Sequence, residues 1–322
     1  MKSERYLSFF TVFVLLIQSI CGMQQDPKKS TPSFCFYKEN QECKLPDTLL
    51  PLENQNRTLS TSEKGELLTK SKKPFSYRLY QAASDKKSES VVIIALGENF
   101  CHRDPLPFAC YEPFIREFLK LGYDVATFRY TWGKKVPPCL SWYLKSNNHE
   151  ELMALVDYLK QSSYEKRFFY GDCYGTYNGL KAQIASNNTA FTKMILNAVF
   201  PSYREAANTG AESVSAKCWD VIRTPFLCST RLFLYLIFGE YSVTELIRDI
   251  TVPILFIWGD ADHLVNERNR QEVYCSATCS KSYLVTPYGH SDSFAYREEE
   301  KGLGRRIVLS VMHEFYSQSK FS

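Results

Sequence analysis

The chain has 322 residues, 44% of them hydrophobic, enough for one large domain with a substantial core. Its formal net charge is only +4, and no basic stripe with interleaved aromatics appears, so nucleic-acid binding has no footprint in it. Eleven cysteines are many for a cytosolic enzyme and point to an oxidising compartment.

Lys2 and Arg5 lead into the apolar run from Tyr6 to Ile17, and the small residues Ser19, Cys21 and Gly22 follow. This is the pattern of an export signal over residues 1–22, cleaved near Cys21 to Met23, with a periplasmic or extracellular destination. The run is short of the about 20 apolar residues that a membrane span needs, so no integral span is expected after cleavage. An uncleaved anchor is the competing reading. Residues 23–75 are rich in Lys, Pro, Ser and Gln and read as a polar extension or linker, with Cys35 and Cys43 placed to staple it.

From Phe75 the pattern changes. Ser76 to Tyr80 alternates like an edge strand, and Ser90 to Leu96 is a continuous apolar run, as expected of a central parallel strand buried on both faces. Pro113 to Leu121 has helical apolar spacing and stops at Gly122. Tyr123 to Phe128 reads as a strand. Leu152, Leu155, Val156 and Leu159 recur at helical spacing, and aromatic Phe168 to Tyr170 suit another strand. A helix through Leu180, Ile184 and Ala185 follows, then strands at Met194 to Val199, Val252 to Trp258 and Ser282 to Thr286. An amphipathic helix from Ile307 to Tyr316 closes the chain. Strands alternating with helices in this rhythm imply a mostly parallel sheet covered on both faces. Residues 201–250 interrupt the alternation and contain the apolar stretch Leu232 to Phe238, which fits either an inserted cap or one extra core helix.

Three strand ends carry the chemistry. Gly171-Asp172-Cys173-Tyr174-Gly175 joins a strand to a helix. In a nucleophile elbow the residue between two glycines is pushed out at the top of the sheet, and here that residue is cysteine. An activated cysteine needs a base, and the base needs an orienting acid. Gly259-Asp260-Ala261-Asp262 ends one later strand and Gly289-His290 ends the next; 89 residues separate Cys173 from Asp262, and 28 separate Asp262 from His290. Other titratable residues have duller readings. Asp260 is the alternative acid, with structural hydrogen bonding its other role. His102 reads as a loop residue, and so does His263, because adjacent side chains rarely point the same way. His149 fits the start of a surface helix and His313 the closing helix. Cys275 and Cys279 have no accompanying pair or histidine cluster, so a disulfide or two buried thiols explains them better than a metal does. Nothing in the chain calls for a metal or organic cofactor.

With the elbow, Gly259-x-x-Asp262 and Gly289-His290 in this order, the chain resembles the α/β-hydrolase fold superfamily over residues 76–318, in a variant with a cysteine nucleophile. The resemblance implies an α/β fold with a mostly parallel central sheet, helices on both faces and a cap inserted at about 201–250. It makes Cys173 the nucleophile, His290 the general base and acid, and Asp262 the orienter of His290. The oxyanion hole would use the backbone N–H of Tyr174 and of Glu98, with Asn99 in reserve, in the loop after the Val91–Leu96 strand. That loop reads Leu96-Gly97-Glu98-Asn99 where family members often have His-Gly. Asn99, Tyr130 and Trp132 are candidates to line the substrate site, the last two with packing beneath the cap as the equal alternative. The expected partner is a small acyl, ester or thioester substrate. A cysteine also fits a second class of reading, in which Cys173 is inert or disulfide-bonded and the fold serves as a binding or structural module. Among the remaining cysteines, Cys35–Cys43, Cys101–Cys110 and Cys218–Cys228 are candidate local disulfides.

Overall fold

The computed structural model describes residues 34–38, 41–46, 63–82, 88–97, 112–130, 149–162, 164–215, 242–290 and 301–318. In chain order the elements are β1 (Cys35–Lys38), β2 (Gln41–Cys43), β3 (Glu63–Leu68), β4 (Pro74–Tyr80), β5 (Ser90–Ala95), α1 (Glu112–Lys120), β6 (Asp124–Phe128), α2 (His149–Gln161), β7 (Lys166–Asp172), α3 (Tyr174–Ala185), β8 (Lys193–Asn197), α4 (Tyr203–Ser215), α5 (Val243–Arg248), β9 (Ile254–Gly259), α6 (Glu267–Ser276), β10 (Lys281–Thr286) and α7 (Lys301–Ser317). The expected signal segment, the 216–241 centre of the expected cap, and Glu98, Asn99, His102 and Trp132 lie outside the described residues.

The strands form one sheet in the order β2-β1-β10-β9-β8-β7-β5-β6-β4-β3. Its six inner members, from β10 to β6, run parallel to one another. These strands are the apolar runs of the sequence: Val91 to Ile94 and Ile254 to Ile257 are fully buried because helices cover both faces. On one face Leu152, Leu155 and Leu159 of α2, Leu180 of α3, Ile247 of α5 and Val273 of α6 pack into a single cluster. On the other, Phe114 and Phe118 of α1 meet Val308, Met312 and Phe315 of α7. Each fully buried side chain of this kind contributes about 1.5–3 kcal/mol. The helix α1 stops where expected: Gly122 has φ +83°, and Tyr123 N–H reaches back to Phe118 O at 3.0 Å.

The sheet edges differ from the expectation. The 23–75 stretch read as a linker supplies β1 and β2 to one edge and β3 to the other. All three pair antiparallel and are partly exposed; β3 alternates half-buried and exposed residues along Glu63–Leu68. The strand β4 is therefore not an edge, since it lies between β6 and β3. The candidate Cys35–Cys43 disulfide is absent. Cys43 stands opposite Phe36, so Cys35 projects from the other face of the pair.

Candidate active site

Parallel strands place all their carboxyl ends on one side of the sheet, where this fold type positions ligands. The ends of β5, β7, β8, β9 and β10 are in register there: Ala95 beside Gly171, Asp172 beside Asn197, and Gly259 beside Thr286. Each sharp connection at this edge is then made by a residue type that permits it.

Cys173 follows β7 directly and precedes α3, with φ 49° and ψ −112°. A non-glycine residue in such a conformation costs ~1–3 kcal/mol and persists only where its surroundings impose it. Here they do. Cys173 N–H donates to Asn197 O at 2.9 Å, and the Cys173 carbonyl accepts from Thr176 N–H and Thr176 Oγ1 at 3.0 and 2.6 Å. The elbow also presses on β5, since a Cβ at Gly175 would lie 2.0 Å from Ala95 O. Only glycine fits between those two backbones. Sγ makes no cap to its own helix; it lies 3.2 Å from His290 Nε2.

His290 reaches the thiol because the loop after β10 folds across the end of β9. A Cβ at Gly259 would lie 2.1 Å from Tyr288 O, so the absence of a side chain there admits the crossing. Asp260 N–H to Thr286 O and Ala261 N–H to Tyr288 O, at 2.7 and 3.1 Å, fasten the two loops together. His290 Nδ1 then sits 2.8 Å from Asp262 Oδ2. The other carboxylate oxygen, Oδ1, accepts from the N–H groups of Leu264 and Val265 at 2.7 and 3.0 Å, so the acid is locked in place. The Asp262 side chain is fully buried and that of His290 is nearly so.

Burial opposes a positive charge on His290. The Asp262 carboxylate and the Cys173 sulfur outweigh it through charge and hydrogen bonding, and hold the imidazole well above its ordinary range. A protonated imidazole beside a cysteine is, in general, the setting that lowers a thiol's pKa. Cys173 also stands at the start of α3, where the helix dipole favours negative charge. It forms no disulfide, and neither do Cys35, Cys43, Cys275 and Cys279. Burial pushes the Cys279 thiol up to about 11, as an inert thiol requires.

Tyr174 opens α3 directly after Cys173, so its N–H is one of the first-turn donors that an α-helix does not pair with its own carbonyls. Gly97 packs against the elbow: a Cβ there would lie 3.2 Å from Cys173 Cβ and 3.2 Å from Asp172 Oδ2. The loop expected to supply the second donor therefore starts beside Cys173. Tyr130 is buried, with its ring edge-on to Tyr174 at 5.8 Å between centroids. Asp260 is 72% exposed in its side chain and pairs with Arg270 at 3.3 Å, so of the two carboxylates it is Asp262 that meets His290. His149 begins α2, and His313 in α7 contacts Tyr123 Oη at 3.3 Å.

Two features of the site are not in the expected set. Asp172 is completely buried behind the elbow, where its Oδ1 accepts from Asn197 Nδ2 at 2.7 Å. His263, expected to be a loop residue, lies in the loop after β9 with its ring centroid 6.5 Å from that of His290. Among the described residues, no group of three or more His, Cys, Asp or Glu side chains is placed to hold a metal. No described helix is long and apolar enough to cross a membrane.

Known structures of the same architecture are numerous. An esterase of Pyrococcus furiosus aligns over 84% of this chain and 97% of its own, at 19% identity and a TM-score of 0.61. An esterase domain of a Rhodothermus marinus protein covers 79% and 96%, at 12% identity and a TM-score of 0.52. A 2,6-dihydroxy-pseudo-oxynicotine hydrolase covers 81% and 69%, at 14% identity and a TM-score of 0.55. No protein-family model matches the sequence, and no curated protein matches it. With its mostly parallel sheet and these neighbours, the chain has the α/β-hydrolase fold.

Proposed function

We propose that the chain is an exported hydrolase or acyltransferase that acts on small esters or thioesters through Cys173. The observation that carries the reading is the contact chain from Cys173 Sγ through His290 to Asp262, 3.2 and 2.8 Å long, at the carboxyl edge of the sheet. The Cys173 thiolate attacks the substrate carbonyl carbon, and the electron pair of the C=O bond moves onto its oxygen, which the Tyr174 N–H and a donor in the loop after Gly97 stabilise. When the tetrahedral intermediate collapses, the bond to the leaving oxygen or sulfur breaks, and His290 Nε2–H protonates that atom. A thioester on Cys173 remains. Water, or an alcohol, amine or thiol, then gives a proton to the neutral His290 Nε2 and attacks the thioester carbon. The C–S bond breaks, and the thiolate–imidazolium pair is restored.

Structural neighbours that are esterases support an ester substrate, and the run from Tyr6 to Ile17 behind Lys2 and Arg5 supports export. The test compares wild type, Cys173→Ser and Cys173→Ala on a series of p-nitrophenyl esters and acyl thioesters. Turnover is expected in wild type, with an acyl adduct on Cys173 by mass spectrometry, and none in Cys173→Ala. Turnover that survives Cys173→Ala would remove the mechanism. Wild type that forms no adduct and turns over no substrate favours the binding-module reading.

A further inference from the structure

The reaction described above leaves His263 unused. Its ring lies 6.5 Å from that of His290, at an interplanar angle of 64°, and its Nε2 is buried with no hydrogen-bond partner among the described residues. A buried polar atom left unpaired costs ~1–3 kcal/mol, and buried polar atoms are ordinarily paired. The loop that carries His263 is not slack enough to relieve this. Leu264 and Val265 are tied to Asp262 Oδ1. The first helix of the expected cap, α4, also packs on this loop, where a Cβ at Gly210 would lie 3.0 Å from Leu264 Cδ2, and on α6, where Thr209 Oγ1 accepts from Asn269 Nδ2 at 3.0 Å. The imidazole is thus held, beneath cover, beside the group that must take a proton from the attacking acceptor. Burial pushes the His263 imidazole below its ordinary range; the Asp262 carboxylate pulls it back in part, and the His290 charge adds a smaller push down. It is neutral at physiological pH, with one N–H and one lone pair to offer.

We propose that His263 Nε2 anchors an acyl-acceptor subsite, forming a hydrogen bond to the water or hydroxyl group that attacks the thioester on Cys173. The inference rests on the acyl-enzyme reading and adds the residue that selects its second substrate. In the step concerned, the acceptor O–H proton passes to His290 Nε2 and the acceptor oxygen forms the new C–O bond. The C–S bond breaks with its electron pair returning to Cys173. His263 keeps its own proton throughout and fixes the direction from which the oxygen arrives.

The test follows the acetyl adduct on Cys173 in the full chain, formed with p-nitrophenyl acetate, desalted and read by intact mass. His263→Phe keeps a ring and removes both nitrogens; His263→Gln keeps a polar end. Expected for His263→Phe is adduct formation at the wild-type rate and decay about tenfold slower, the worth of one neutral hydrogen bond. Its melting temperature should equal or exceed that of wild type, because an unpaired buried atom has been removed. His263→Gln should recover decay to within about threefold of wild type. Adduct decay at the wild-type rate in His263→Phe overturns this inference alone, as does an equal slowing of formation and decay with a lowered melting temperature. Wild type that forms no adduct overturns the acyl-enzyme reading, and this inference with it.

Discussion

Replacing Asp262 by Asn isolates the charge that holds His290 protonated. Asn can still accept the Leu264 and Val265 N–H groups with its carbonyl oxygen, which Asp262 Oδ1 now does at 2.7 and 3.0 Å. Its amide nitrogen then faces His290 Nδ1, where a carboxylate oxygen stood at 2.8 Å. Two donors cannot share that contact, so the imidazole must turn to the tautomer with Nδ1 bare and Nε2 protonated. The attraction lost is ~4 kcal/mol for charges about 4 Å apart at an effective dielectric constant of about 20. That corresponds to roughly a thousandfold in the population of the thiolate–imidazolium pair. The pair is nearly shielded from water, so the loss is not much reduced by screening. The assay is the rate of Cys173 alkylation by iodoacetamide as a function of pH. In wild type the rate should stay high down to about pH 6, below the usual thiol range around 8.5. In Asp262→Asn it should fall steeply below that range. The sign for stability follows from the same raised His290 value. Its contribution is complete below the unfolded value of about 6.5, is lost as pH rises through the folded value, and disappears in the variant. Superimposable alkylation profiles for the two proteins would refute the argument, because the acid would then have no hold on the thiol.

Two further outcomes test the fold around the site. Lys193 opens β8 and donates through Nζ to Phe315 O and Gln318 O, both at 2.5 Å, closing the carbonyl end of α7. Burial, with Lys166 nearby, pulls its value down to about 8. The unfolded chain therefore binds a proton that the folded one has released between about pH 8 and 10.4, and this group adds stability as pH rises through that window. In urea titrations Lys193→Met should lose ~1–3 kcal/mol through the orphaned carbonyls and should lack that rise; an identical pH slope in both proteins would contradict it. Gly175→Ala places a Cβ 2.0 Å from Ala95 O, where only backbone can yield, so soluble folded protein is not expected. Gly97→Ala meets Asp172 Oδ2 and Cys173 Cβ at 3.2 Å, a tighter contact than usual but one small shifts relieve. That variant should fold and lose activity through the oxyanion loop, as circular dichroism and ester turnover will show.

What was legible in the sequence divides along physical lines. The strands β5 and β9 announce themselves because a parallel strand buried on both faces must be apolar throughout. The strands β1 and β3 do not, because Glu63–Leu68 owes its strand state to pairing with β4, and Cys35–Lys38 to pairing with β10. An edge strand half in water needs no apolar run, so the information lies in the partner and not in the segment. Two of the three residues at the centre of the site were legible for a related reason. Cys173 and Asp262 each follow a strand near a glycine that a close backbone approach requires, Gly175 and Gly259, and such glycines are visible in sequence. His263 is the loop residue expected, but the expectation that its side chain diverges from its neighbour's rests on a rule for extended chain. Asp262 breaks the premise. Its Oδ1 accepts the N–H groups two and three residues on, which folds its own backbone into a tight turn. Within that turn the chain reverses, and consecutive side chains can flank one imidazole. A carboxylate that orients the base with one oxygen and bends the chain with the other thereby brings its neighbour into the site, and the residue type that makes Asp262 a good acid is also what makes His263 a candidate at all.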